Sequence, residues 1–339
     1  MKAVSYRKPL SIDQAESLLD VELADPIIGP RDLLVEVRAI SVNPADVKIR
    51  VSASMDPKGK DKVLGWDAAG VVRGVGAQAT RFKAGDEVFY AGAIDRPGAY
   101  SELHAVDERI VGHKPASLDF AHATALPLTG LTAWELLFDR LGAPFGKTHN
   151  PGSLLIVGGA GGVGSMATQL ARRLTPLTVI ATASRPETRD WVSSMGAHHV
   201  VDHGQSLIGQ VRPLAPDGVD YIMSLTHTDK HFAELVELTA PEGHFGLIDD
   251  PEVPPDVNLL KTKSASFHWE WMFTRARYQT SRMERQGQIL DEIADLVDAG
   301  VLRSTYRQDL GPINAANMKR AHALIESHSS IGKVVLSGF

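Results

Sequence analysis

Within IVGGAGGVGSMATQLAR, Gly159, Gly161 and Gly164 satisfy G-x-G-x-x-G. That spacing serves a dinucleotide when it joins a strand to a helix. The first glycine permits a tight turn, the second lets a pyrophosphate approach the backbone, and the third lets helix and strand pack closely. Gly162 and Val163 fill the turn between them. Unpaired N–H groups at the helix start then face the phosphates, with the positive end of the helix dipole behind them. Gly74, Gly76 and Gly85 also cluster, but no helix follows them and they read as hairpin turns.

The choice of dinucleotide is made at the end of the next strand, about twenty residues on, where an acidic residue holds the ribose hydroxyls of NAD. Here TVIATAS ends in Ser184-Arg185. A carboxylate is missing and a guanidinium stands ready for a phosphate, so the expected coenzyme is NADP(H), bound through Ser184 and Arg185. The alternative is that Arg185 is a solvated helix-start residue and Glu187 takes the ribose.

Other residues have metal-like spacings. His227 and His231 lie four apart, which can put two imidazoles on one helix face, but a third ligand and a general base are not evident beside them. His268 and Glu270 alternate on an expected strand and suit packing or an interface, while His198, His199 and His203 surround another strand as ordinary histidines. Gly65-Trp66-Asp67 is either part of a reaction site or a turn into a buried strand.

Two kinds of element must position these groups. Residues 32–42 (DLLVEVRAISV) are rich in β-branched side chains and stop at Asn43-Pro44, and 68–76 and 86–92 read the same way. From about residue 126 strands alternate with helices: strands 153–159, 178–184, 198–203, 218–225 and 243–249, with helices over 162–174, 186–197 and 231–240. Apolar strands joined by helices mean a parallel sheet covered on both faces. A helix over 286–299, a strand near 304–310, a helix over 314–327 and a last strand over 332–339 are too few for a third domain and return to the β-rich part. The fold class is α/β, a β-rich domain plus a doubly wound parallel sheet.

Composition agrees with two globular domains: 339 residues, 43% hydrophobic and 22% charged, with 30 glycines and 19 prolines spread along the chain. A formal net charge of -6 offers no broad basic surface, so nucleic acid is not an expected partner. Without cysteine, disulfides, thiolate catalysis and sulfur-ligated zinc are excluded. No stretch suits a bilayer, and MKAVSYRKPLSID breaks its apolar residues with charge, so the cytosol is the expected compartment.

In order along the chain, SVNPADVKIR, LGWDAAGVV, GDEVFYAG, ALPLTGLTAWE, GGAGGVGS and IGKVVLSGF resemble the medium-chain dehydrogenase/reductase superfamily over the full length. HTDKHFAE, GLIDDP and HWEWMFTR resemble its zinc-type alcohol dehydrogenase-like branch, near the NADPH:quinone reductases. The resemblance implies a GroES-like catalytic domain over 1–125, completed by 273–339, around a Rossmann NADP-binding domain over 126–272. Zinc members carry a cysteine where Asn43 stands, Gly-His-Glu where Gly65-Trp66-Asp67 stands, and commonly another cysteine near residues 125–128; all of these ligands are absent here. The resemblance therefore implies no zinc, with Trp66 lining the vacated metal site or packing in the core.

Without a Lewis acid, unactivated alcohols are poor substrates, whereas quinones and enone-type conjugated carbonyls accept hydride readily. The resemblance implies that Asn43, in the N-P-x-D pattern of quinone reductases, orients the substrate or the ribose end of the coenzyme. Asp46 fixes that loop, Thr129 and Thr132 contact the nicotinamide amide, and Lys333 approaches the coenzyme. Capping is the other reading of Thr129, and solvation that of Lys333. Some quinone reductases place a tyrosine shortly after N-P-x-D; VKIRVSASM has none, so no proton donor is identified. Relatives commonly pair Rossmann edge strands, which implies a homodimer through SASFHWEWMF. The competing functions are a metal-dependent alcohol dehydrogenase using His, Asp and Glu ligands, and a non-catalytic NADPH-binding structural or RNA-binding protein.

Overall fold

A computed structural model describes residues 1–52, 60–147 and 152–339. Its strands, in chain order, are β1 (Lys2–Tyr6), β2 (Leu19–Glu22), β3 (Asp32–Val42), β4 (Lys62–Val63), β5 (Ala68–Val75), β6 (Glu87–Tyr90), β7 (Leu103–Asp107), β8 (Val111–His113), β9 (Ser153–Val157), β10 (Thr178–Thr182), β11 (His199–Val201), β12 (Val219–Ser224), β13 (Thr239–Leu247), β14 (Ser266–Trp269), β15 (Tyr306–Asp309) and β16 (Lys333–Ser337). The chain forms two compact units, Met1–Leu128 with Phe273–Phe339, and Thr129–Met272.

In the first unit the long strand β3 is the organiser. Its β-branched run pairs antiparallel with β5, β7 and β16, within a sheet ordered β15-β16-β3-β5-β6-β8. Register sets Val334 of β16 opposite Val42, so Lys333 stands beside the end of β3, where Pro44 turns the chain into the helix Pro44–Ser52. A smaller sheet, β2-β1-β4, lies at the start of the chain. Gly70 on β5 is a close approach: an added Cβ would lie 2.1 Å from the Glu36 carbonyl oxygen across the ladder.

The second unit is a parallel six-stranded sheet ordered β11-β10-β9-β12-β13-β14. Numbered within the unit this is 3-2-1-4-5-6, the doubly wound order of dinucleotide-binding sheets. β9 (SLLIV) is buried at every position, as a strand covered on both faces must be. Leu155, Ile180, Ile222 and Phe245 form its core with Leu207, Leu235 and Leu260 from the covering segments. The helix Pro127–Trp134 runs on as a π-helical turn, Glu135–Arg140. Arg140 at its end is ion-paired with Glu270 at 2.8 Å and with Glu135 at 3.6 Å, two carboxylates with fully buried side chains. Glu270 lies just past β14 in this ion pair, while His268 on β14 bonds the Ser266 hydroxyl at 2.9 Å.

Candidate functional site

In the second unit, the chain leaves β9 at Val157 and turns through Gly158, whose φ of 87° is the left-handed region. The glycine that makes the tight turn is thus Gly158, one residue before the motif glycine Gly159 to which the spacing assigns it. Gly159 N–H donates to the Thr182 carbonyl at 3.1 Å and Gly158 N–H to the Thr182 hydroxyl at 3.0 Å, which ties the turn to the end of β10.

The helix Gly162–Leu174 starts at Gly161 and no side chain caps it; the N–H groups of a first helical turn have no partner within their own helix. Gly164 is required by space: an added Cβ would sit 2.2 Å from the Gly158 carbonyl oxygen and 2.8 Å from the Gly159 backbone. At Gly161 the nearest atom to an added Cβ is that same oxygen at 3.7 Å, so room remains for an approaching group. Behind the turn, Trp191 donates to the Ser165 hydroxyl at 2.8 Å, and that hydroxyl donates to the Gly161 carbonyl at 2.7 Å.

At the end of β10, Ser184 is exposed and Arg185 half-buried at the start of the helix Pro186–Met195, with Glu187 exposed in its first turn. His203, which the sequence leaves as an ordinary histidine, bonds the same Thr182 hydroxyl through Nδ1 at 3.2 Å. Burial, reinforced by the nearby charges of His227 and Arg185, holds its pKa below the usual histidine value. Nothing in its sequence context signals this, because β10 and β11 are brought together only by the parallel pairing.

His227 is not on a helix face with His231. It precedes the helix Thr228–Leu238 in a left-handed conformation, φ 51°, while His231 faces His203 with ring centres 6.4 Å apart. Among the described residues no three His, Asp or Glu side chains gather as a metal-ligand group.

The first unit holds a buried polar cluster. Asp67, on the turn into β5, is fully buried and accepts four hydrogen bonds: from Leu128 N–H at 2.7 Å, the Ser41 hydroxyl at 2.8 Å, the Asn43 amide at 2.8 Å and the Lys333 ammonium at 3.0 Å. Lys333 also donates to the Val42 carbonyl at 3.1 Å and to Asn43 Oδ1. Asn43 is 1% exposed with both amide atoms engaged by protein, so its amide is clamped inside the unit rather than presented to a substrate.

Asn43 N–H donates to Asp46 at 2.6 Å, closing the loop as expected for the N-P-x-D turn. Asp46 is itself fully buried, and burial pushes its pKa up to about 7 against the opposing effects of that N–H, Lys333 and Tyr100. Trp66 is a core residue in this unit: 3% exposed, donating to the Ala93 carbonyl at 3.2 Å and packed edge-on to Phe273. Thr129 and Thr132 lie on the helix Pro127–Trp134, both buried. The helix Pro44–Ser52 holds most of VKIRVSASM; its last three residues lie outside the described ones.

Zinc does not fit this cluster. A catalytic zinc takes three protein ligands from His, Cys and carboxylate. The locus offers one carboxylate and one amide oxygen, and both are already bonded to an ammonium.

A parallel sheet in the 3-2-1-4-5-6 order with a glycine turn, in a chain that also holds a discontinuous β-rich unit, is the two-domain design found among dehydrogenases. Residues 29–116 match the alcohol dehydrogenase GroES-like domain family and residues 195–336 the zinc-binding dehydrogenase family. A zinc-type alcohol dehydrogenase-like protein of Staphylococcus aureus is 38% identical over 99% of this chain and all of its own length. A quinone oxidoreductase of Pseudomonas aeruginosa is 31% identical over 94% of each. Among solved structures, one described as a zinc-dependent alcohol dehydrogenase protein from Rhizobium etli superposes with a TM-score of 0.95 at 54% identity, covering 100% of this chain and 98% of its own. The chain belongs to the medium-chain dehydrogenase/reductase superfamily and is an oxidoreductase of that type.

Proposed function

We propose that the protein is a zinc-independent, NADPH-dependent reductase that passes hydride to a quinone or an enone-type conjugated carbonyl. The observation that carries this reading is the end of β10, where Thr182 anchors the glycine turn and the next residues supply Ser184 and Arg185 with no carboxylate. When bound, the reduced nicotinamide supplies the hydride.

The chain's own residues bind and orient. Gly162, Val163 and Gly164 offer the pyrophosphate the N–H groups of the helix start, while Gly159 and Gly161 shape the turn it approaches. Ser184 and Arg185 take the 2′-phosphate, and Thr129 and Thr132 orient the nicotinamide end. Asn43, Asp46 and Trp66 act by holding the first unit's buried cluster in shape through their bonds to protein partners. The acceptor class follows from that cluster: a locus filled by an ammonium cannot polarise an alcohol as a metal does, so the acceptor must already be electron-poor. The 31% identity to a quinone oxidoreductase supports the same class.

We further propose a homodimer through β14, the terminal strand of its sheet, which carries Trp269 at 52% exposure. Among the described residues no helix is long and apolar enough to cross a membrane.

The test is loss of NADPH absorbance with a panel of quinones and enones after exhaustive chelation. Turnover of at least one conjugated acceptor, with NADPH preferred over NADH, is the expected result. Binding of NADPH without turnover of any acceptor favours a non-catalytic role. Activity that disappears with chelator and returns with a divalent ion refutes the proposal.

A further inference from the structure

Asp67 is a carboxylate with no exposed surface, and a buried carboxylate persists only with a counter-charge and hydrogen bonds. Its hydrogen bonds come from Leu128, Ser41 and Asn43, and its counter-charge comes from the far end of the chain. Lys333 is 3% exposed, and its ammonium meets three oxygens: the Val42 carbonyl, Asn43 Oδ1 and Asp67 Oδ2. An ammonium has three protons and no acceptor capacity, so its valence is saturated by this set. One positive centre ringed by a carboxylate, an amide oxygen and a main-chain oxygen is the arrangement of a small cation site.

We infer that the Lys333 ammonium is the resident cation of this locus, taking the electrostatic place of a metal ion beside Asp67 and Asn43 and closing the locus to divalent metal. The cation is carried on β16, whose pairing with β3 delivers it to the end of that strand. The inference goes beyond the functional reading and does not depend on which acceptor is reduced.

Four forms of the full chain test it: wild type, Lys333→Met, Asp67→Asn and Asp67→Asn/Lys333→Met. Each is analysed for metal content and melted with and without added zinc chloride. The wild type is expected to hold only substoichiometric zinc and to show a Tm unmoved by it. Lys333→Met strands the carboxylate, and a Tm lower by about 10 °C is expected. The double variant, with neither charge, recovers most of that loss, as a coupled pair must. If Lys333→Met does not accumulate folded, the double variant is compared with Asp67→Asn, which leaves the ammonium unpaired, and is expected to be the more stable.

One equivalent of zinc taken up by the wild type with a rise in Tm overturns the inference. So does a double variant that loses the sum of the single losses. NADPH turnover in the same preparations keeps the two proposals apart: a wild type inert toward the acceptor panel sinks the functional reading while leaving the metal and coupling results to decide this one.

Discussion

Arg185 is the residue on which the proposed coenzyme choice turns. A guanidinium-to-phosphate bond contributes roughly 1.5–3 kcal/mol, about tenfold to a hundredfold in affinity. Arg185→Ala should therefore weaken NADPH by that factor and leave NADH within about threefold, as read by titration calorimetry. Equal loss for both coenzymes would mean that Arg185 shapes the helix start instead of choosing the ligand. The position of Arg185 at the end of β10 was legible because it depends on distance along the chain from a glycine motif. Lys333 was not: its partners Asn43 and Asp67 are 290 and 266 residues away, and a lone lysine in a strand carries no sign of burial. The glycine motif falls on the turn after β9 yet assigns its sharpest bend one residue late, since Gly158 and Gly159 are equivalent in type and only the backbone distinguishes them.

The turn and helix proposed to receive the phosphates make separate demands on their glycines. Gly164 is excluded from carrying a Cβ by contact with the Gly158 carbonyl, so Gly164→Ala should lose both thermal stability and dinucleotide binding. Gly161 has φ of -71° and open space around it, so Gly161→Ala should melt within about 2 °C of wild type while binding NADPH at least tenfold more weakly. Equal damage from the two substitutions would show that packing, not phosphate access, governs Gly161. The strands that flank this turn were readable because apolar, β-branched runs buried on both faces leave a strong pattern, as in SLLIV. β2, with its pattern of half-buried and exposed residues, and the two-residue β4 leave almost none. The π-helical turn Glu135–Arg140 was equally hidden, and the partner of Arg140, Glu270, lies far along the chain.

For the molecule as a whole, acid stability follows from three buried groups of the first unit. His104 donates to the Pro97 carbonyl and accepts from the Tyr90 hydroxyl, and burial lowers its pKa to about 4. Burial, aided by Arg50, lowers that of His322 to about 3. Each stays neutral in the native state while the unfolded chain takes up a proton below its ordinary value near pH 6.5. Stability therefore falls with acid, by about 1.4 kcal/mol per pH unit for each. Asp46, raised to about 7, works in the opposite sense: the native state holds its proton from near neutrality down to the unfolded value near 4, and stability rises by a similar slope as pH falls. The net expectation from these three groups is a loss of about 1.4 kcal/mol per unit between roughly pH 6.5 and 4. Asp46→Asn should double that slope and raise stability at pH 8, as measured by denaturant melts across pH; an unchanged slope would show that Asp46 ionises normally. The assembly prediction belongs at this scale too. The native chain should elute as a dimer in light-scattering chromatography, and Trp269→Glu on the edge strand should yield monomer with its NADPH affinity retained. The first unit is also discontinuous, and this has a consequence for synthesis. Residues 129–272 emerge from the ribosome as one uninterrupted stretch and can close their sheet early, whereas the strand that neutralises Asp67 is translated after all the other described strands. A nascent chain stopped after Gly332 would hold a finished parallel-sheet unit and a β-sheet still missing both β16, a partner of β3, and the ammonium that pairs with Asp67, and pulse proteolysis of stalled chains should find the first protected and the second cut.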